Sequence, residues 1–97
     1  MLPVSELEES KPKRAEVAGY PLVLVKKGEK VYALANTCTH LGGPLAEGEL
    51  EGDCIRCPWH GSVFSLEDGS VKESPAVVPV AVFEARVVDG NIEVRLG

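Results

Sequence analysis

The chain has 97 residues, 44% of them apolar, and a formal net charge of −5. This length suits one small domain, and the apolar fraction is that of an ordinary globular chain rather than a disordered one. The acidic balance disfavours a nucleic-acid partner and favours a protein partner with a basic docking face.

Membrane attachment is not expected from the sequence. Every apolar run falls far short of the roughly 20 residues that span a bilayer. The first residues, Met1 to Glu6, show neither a signal-peptide pattern nor a lipidation motif. We therefore expect a cytoplasmic protein.

The first half of the chain reads as β-structure. A polar lead over residues 4–9, where Ser5 can cap a single turn, precedes a predicted strand over 13–17. Two further β-prone runs, 20–26 and 30–35, predict a hairpin.

Turn signals divide the second half into short strands as well. We predict one strand over 50–56, broken at Gly52-Asp53, and a later pair, 62–66 and 70–73, joined by the turn at Asp68-Gly69. A last hairpin is predicted from runs 80–88 and 91–96, which flank Asp89-Gly90.

Together these elements predict an all-β fold, an antiparallel sandwich or barrel of short strands. No stretch has helical periodicity over ten residues. We expect a single domain over residues 1–97, with a small ligand-binding subdomain at about 37–73 placed between outer strands.

Residues that can bind a metal are concentrated in two short loops. Cys38 and His40 lie in the first loop, and Cys57 and His60 lie in the second. Two thiolates and two imidazoles are enough to fill a metal site. In a zinc finger of the Cys2His2 type, Cys pairs with Cys and His with His, whereas here each loop supplies one of each. This arrangement suits a 2Fe–2S cluster with Cys on one iron and His on the other.

The stretches CTHLGGPL and CPWHGSVF resemble the two cluster-binding loops of the Rieske iron–sulfur family. The resemblance extends from about residue 20 to the end and implies a Rieske-like fold with a 2Fe–2S cluster. It implies that Cys38 and Cys57 bind the inner iron and that His40 and His60 bind the solvent-facing iron. Ser62 matches a serine that hydrogen-bonds a bridging sulfide in some members.

Three other residues are expected to surround the cluster. Trp59 lies between two of the ligands in sequence, and we expect it to cover the cluster's flank and to form part of the docking surface. Leu41 is expected to keep water away from the sulfurs. Pro75 resembles the proline segment that packs over the cluster in the family.

Departures from the family pattern predict a low reduction potential. Members from respiratory and photosynthetic cytochrome complexes carry a disulfide where this chain has Gly43 and Trp59. They also carry a Tyr where this chain has Phe64, so the Tyr hydroxyl bond to a ligand sulfur is missing. Fewer hydrogen bonds to the sulfurs stabilise the added electron less, and we predict the low end of roughly −150 to +300 mV.

The resemblance implies a stand-alone, monomeric Rieske-type ferredoxin, an electron carrier rather than a catalyst. It is similar to the ferredoxin components of bacterial dioxygenase systems, which carry electrons from a flavin reductase to a terminal oxygenase. A catalytic oxygenase subunit would need two further His for a mononuclear iron, and this chain has only two His in total.

Two alternatives remain. One is the Rieske-like small subunit of a nitrite-reductase-type enzyme, which shares the fold and often lacks the ligands. The other is a structural zinc module built from Cys38, His40, Cys54 and Cys57, which leaves His60 without a role.

Overall fold

Two antiparallel sheets make up the structure, a computed structural model that describes residues 2–37, 42–59, 61–73 and 78–95. The strands, in chain order, are β1 (Leu2–Pro3), β2 (Lys13–Val17), β3 (Tyr20–Lys27), β4 (Lys30–Ala35), β5 (Glu49–Glu51), β6 (Cys54–Arg56), β7 (Val63–Ser65), β8 (Val71–Glu73), β9 (Val82–Val88) and β10 (Asn91–Arg95). Within the described ranges, the helical elements are two 3-10 turns, Val4–Glu6 and Leu45–Glu47. The all-β prediction is confirmed.

The larger sheet has six strands in the order β1-β10-β9-β4-β3-β2. Strand β3, which lies between β4 and the edge strand β2, is rich in aliphatic residues and is buried on both faces. Val23 and Val25 enter one hydrophobic core, whereas Leu24 enters another together with Ile92 of β10. A side chain of β3 meets one of β10 only if this sheet curls, so the second core lies inside the curve of the larger sheet.

The smaller sheet has the order β5-β6-β7-β8 and lies in the chain between β4 and β9. Ile55 and Phe64 are paired across β6 and β7, and both are fully buried in the core that also contains Val23 and Val25. That core therefore lies between the two sheets. Lys27 adds a polar link, because its ammonium donates to the Gly52 carbonyl at 2.6 Å.

Two predictions about local structure are wrong. Residues 50–56 are two strands, β5 and β6, because Gly52 and Asp53 form a tight turn that pairs Leu50 with Ile55. The N-terminal turn exists, but it begins after Pro3 and has no side-chain cap, so Ser5 lies within the turn instead of capping it.

The remaining predicted strands agree with the structure to within two residues at each described end. No helix within the described residues has the length and apolar character needed to cross a membrane.

Candidate metal centre

The structure describes only part of the predicted site. Five of the predicted residues lie outside the described ranges: Cys38, His40, Leu41, His60 and Pro75. The other three, Cys57, Trp59 and Ser62, are described together with the segments that support both loops.

Cys57 occupies the inner end of the second loop. It directly follows β6, is 2% exposed, and belongs to the core between the two sheets. Its N–H donates to the Ser62 carbonyl at 2.7 Å, and the Gly61 N–H donates to the Cys57 carbonyl at 3.2 Å. Gly61 has φ of 79°, a conformation that favours glycine. These bonds fasten Cys57 to Gly61 and Ser62, and Cys57 itself lies in the core between the two sheets.

The first loop is held at its base by Asn36. This side chain is 7% exposed, and its Oδ1 accepts the Ala46 N–H at 2.8 Å. The Asn36 carbonyl accepts the Leu45 N–H at 2.7 Å, and its own N–H donates to the Pro21 carbonyl at 3.1 Å. A bridge between Thr37 and Pro44 lies just above these bonds. The residues on both sides of the loop are therefore fixed to each other and to β3.

Gly43 brings the two loops into contact. A Cβ at this position would lie 2.7 Å from Cys57 Sγ and 3.0 Å from Trp59 Cγ, so only glycine fits without displacing a neighbour. Trp59 therefore adjoins Gly43 of the first loop. The indole is nevertheless 56% exposed, so Trp59 both adjoins the first loop and presents apolar surface to solvent.

Ser62 and Phe64 complete the described surroundings of Cys57. Both are fully buried, and Phe64 shares the core with the Cys57 thiol. The Phe64 ring therefore provides apolar packing where a tyrosine would bring a hydroxyl into the same interior.

Arg56 is a site residue that the sequence reasoning missed. Its guanidinium donates from Nη1 to the Gly61 carbonyl at 2.7 Å, and from Nη2 to Glu51 at 2.9 Å and Glu73 at 3.3 Å. The Arg56 hydrogen bond lowers the pKa of Glu51, and the Glu51 hydrogen bond in turn raises the pKa of Arg56. The available signal was a cation directly before Cys57 in a segment otherwise rich in acidic residues.

Cys54 lies apart from the interior thiol. On β6 it alternates with Ile55, so it is on the opposite face, and it is partly exposed. Cys57 shares the buried core with Ile55. The two thiols thus face different surroundings, which argues against the zinc module that needs both of them.

Known proteins resemble this chain over most of its length. The family model for the Rieske [2Fe-2S] domain matches residues 1–84. Ferredoxin CarAc of Metapseudomonas resinovorans is 42% identical over 78 residues, which are 80% of this chain and 73% of that protein. The anthranilate 1,2-dioxygenase ferredoxin subunit of Burkholderia cepacia is 35% identical over 95 residues, covering 97% and 87% of the two chains.

A solved structure shows the same architecture. One chain of the complex of reduced oxygenase and oxidized ferredoxin in carbazole 1,9a-dioxygenase superposes with a TM-score of 0.89 at 36% identity. The alignment covers 98% of each chain. The antiparallel strands, the paired Cys/His loops and these relatives agree, and they imply a Rieske-type 2Fe–2S cluster. The chain belongs to the Rieske [2Fe-2S] family, as an electron-carrying ferredoxin rather than a catalytic subunit.

Proposed function

We propose that Cys38, His40, Cys57 and His60 bind this cluster, and that the protein passes single electrons from a flavin reductase to a terminal oxygenase. The Cys57 thiol carries the argument from the structure. It is buried, it lies against Gly43 of the first loop, and it has space there only because Gly43 has no Cβ. A thiol enclosed between two glycine-containing loops suits the inner, sulfur-ligated side of a Rieske cluster.

In this proposal the protein's own residues bind and shield the cluster. Cys57 is its interior ligand, with Cys38 as the second thiolate and the two His as the outer ligands. Ser62 would donate to a sulfide of the cluster, Leu41 and Trp59 would keep water from its sulfurs, and Pro75 would pack over it. When bound, the cluster supplies reversible one-electron chemistry. Except for Pro75, these residues belong to a part that we assign to about residues 37–73, within one domain over residues 1–97.

The charge distribution supports a partner with a basic docking face. Residues 42–73 contain seven of the fifteen acidic side chains and two of the ten basic ones. The rest of the chain has eight of each and is formally neutral, so the whole net charge of −5 lies in the part next to the proposed cluster. Such asymmetry orients a charged partner during encounter. We propose that the carrier is a cytoplasmic monomer that meets both redox partners through this end.

Metal analysis of the purified protein tests the cluster directly. We expect a red-brown protein with two irons and two sulfides per chain and no zinc. Cys57→Ser is expected to abolish the colour, whereas Cys54→Ser, the matched control on the opposite face of β6, is expected to retain the full iron content. Colourless protein with one zinc per chain, or equal loss of metal in both variants, would reject the proposal.

The reduction potential tests the role assigned to Phe64. Because its buried ring offers no hydroxyl to the ligand sulfur, we expect a potential near the lower end of roughly −150 to +300 mV. Phe64→Tyr is expected to raise the potential while the iron content stays unchanged. Redox titration followed by visible spectroscopy measures both values. A wild-type potential near the upper end would contradict the prediction.

A further inference from the structure

Arg56 connects three separate segments around the second loop. It is the last residue of β6, directly before Cys57, and its side chain is 32% exposed. The guanidinium bonds to Glu51 through both Nε and Nη2, to Glu73 of β8 through Nη2, and to the Gly61 carbonyl through Nη1. A planar group with five N–H donors can make these contacts at once, whereas a lysine ammonium at the same place cannot match their geometry.

The hydrogen bond to the Gly61 carbonyl is the contact that joins Arg56 to the second loop. Gly61 already donates its N–H to the Cys57 carbonyl, so both polar groups of this residue are engaged. The guanidinium packs closely there, since a Cβ on Gly61 would lie 3.2 Å from Arg56 Nη1. The orientation of the peptide groups around Gly61 is thus set by one bond inside the loop and one from β6.

The two carboxylates hold the guanidinium in place. Glu51 lies on β5 and Glu73 on β8, the two edge strands of the smaller sheet, with Arg56 between them on β6. Charge-assisted hydrogen bonds are stronger than neutral ones, and a bidentate contact also fixes the plane of the donor. The edge strands thereby determine where Nη1 points.

We propose that Arg56 is a positioning residue for the cluster, which fixes the second loop by fastening Gly61 to the edge strands of the smaller sheet. This inference rests on the proposed function, because Gly61 follows the proposed ligand His60 directly in the chain. Arg56 acts through the loop backbone and is not itself a ligand. Its removal therefore loosens the cluster while leaving all four proposed ligands present.

The test compares Arg56→Gln and Arg56→Lys with wild-type protein, each purified with its cluster. Arg86→Gln is the matched control, because Arg86 also pairs across two antiparallel strands with a glutamate, Glu93, at 2.7 Å. One measurement is the rate at which the oxidised protein loses its visible absorbance in excess EDTA. The other is the position and width of the electron paramagnetic resonance signal after reduction with dithionite.

We expect Arg56→Gln to release the cluster about tenfold faster than wild type, as loss of a charge-assisted bond predicts. Arg56→Lys keeps the positive charge but loses the planar guanidinium, and it is expected to release the cluster severalfold faster than wild type. Both Arg56 variants are expected to broaden the electron paramagnetic resonance signal. Arg86→Gln is expected to match wild type in both the rate of cluster release and the resonance signal.

Wild-type rates and signals in both Arg56 variants would overturn the proposal. A wild-type rate and signal for Arg56→Lys alone would also overturn it, because a positive charge without the guanidinium geometry would then be enough to hold the second loop. Should Arg56→Gln fail to accumulate, Arg56→Lys decides the question. Wild-type protein that contains no iron–sulfur cluster would instead reject the proposed function, so the two failures are distinguishable.

Discussion

The two proposed cluster loops are supported in different ways. The first is held by Asn36, a neutral amide that is 7% exposed and bonds to the backbone of Ala46. The second is held by Arg56, a cation that is 32% exposed and bonds to Gly61 and to two carboxylates. Both side chains lie just before the first residue of their loop that binds metal in the proposal.

This difference follows from where each loop leaves the fold. Asn36 follows β4 of the larger sheet, where its backbone N–H also bonds to the Pro21 carbonyl of β3, and only 7% of the residue is exposed. A buried neutral bond avoids the desolvation of a charge. Arg56 lies on the outer face of the smaller sheet, where its guanidinium can bond to three segments and remain partly solvated. The strength of the first support, the Asn36 hydrogen bonds, should therefore be insensitive to salt. The strength of the second support, the Arg56 contacts, should fall as salt is added.

Gly43→Ala is expected to have the largest effect, because it acts where the two loops meet. The new methyl would lie 2.7 Å from Cys57 Sγ and 3.0 Å from Trp59 Cγ, so either the thiol or the indole must move. Overpacking of this kind typically costs about 1–3 kcal/mol, and here it also displaces a proposed ligand. We expect protein with less than about half the wild-type iron content.

Gly28→Ala is the control for that variant, since a methyl there meets no atom within 4 Å and only adds backbone strain in the β3–β4 turn. It should keep the wild-type iron content. Full iron content in Gly43→Ala would show that the loops are not in close contact.

Asn36→Ala is expected to have the next largest effect and to act on the first loop alone. The Ala46 N–H loses its acceptor in a part-buried position, which costs about 1–3 kcal/mol. For a domain of this size we expect the apparent midpoint of thermal unfolding to fall by about 4–8 °C for each kcal/mol lost. Calorimetry of the cluster-loaded protein measures the change.

Asn91→Ala is the matched control for Asn36, because Asn91 is exposed at the start of β10. Its midpoint should stay within about 2 °C of wild type, as is usual for surface substitutions. Equal midpoints for the two alanine variants would show that the Asn36 amide does not support the first loop.

Local patterns in the sequence were sufficient to predict most of the strands. Strand β3 is a run of β-prone aliphatic residues, and the final hairpin is marked by Asp89-Gly90 between two such runs. The Cys/His spacing predicted the family that the comparisons confirm. The ligand assignment of Cys38, His40 and His60 stays a prediction, since these residues lie outside the described ranges.

The supports of the loops could not be read from local patterns. Asn36 appeared as one polar residue at a strand end, and its role depends on Ala46, ten residues away. Arg56 appeared as a cation in a strand, and its role depends on Glu51 of β5 and Glu73 of β8, the two edge strands of the smaller sheet. The break at Gly52-Asp53 was visible, but whether it bends one strand or reverses the chain depends on Leu50 packing beside Ile55. Such properties arise only when the chain is folded.

Salt is expected to produce the smallest effect and to distinguish the two supports most clearly. The Arg56–Glu51 pair has side chains 32% and 44% exposed, and pairs of this kind contribute little to stability because solvent and ions screen them. Raising sodium chloride from about 0.05 to 1 M shortens the screening length severalfold. We therefore expect wild-type protein to release its cluster to EDTA about twofold faster at high salt.

Arg56→Gln should lose most of this salt response, because the charged pair that the ions screen is gone. Asn36→Ala should keep it, because the bond that this variant lacks is between neutral groups. The release rates of the three proteins at both salt concentrations measure the difference. If Arg56→Gln and wild type responded to salt alike, the second loop would not depend on a screened ion pair. The contrast between a neutral and a charged support would then be wrong, even if both loops bind the cluster as proposed.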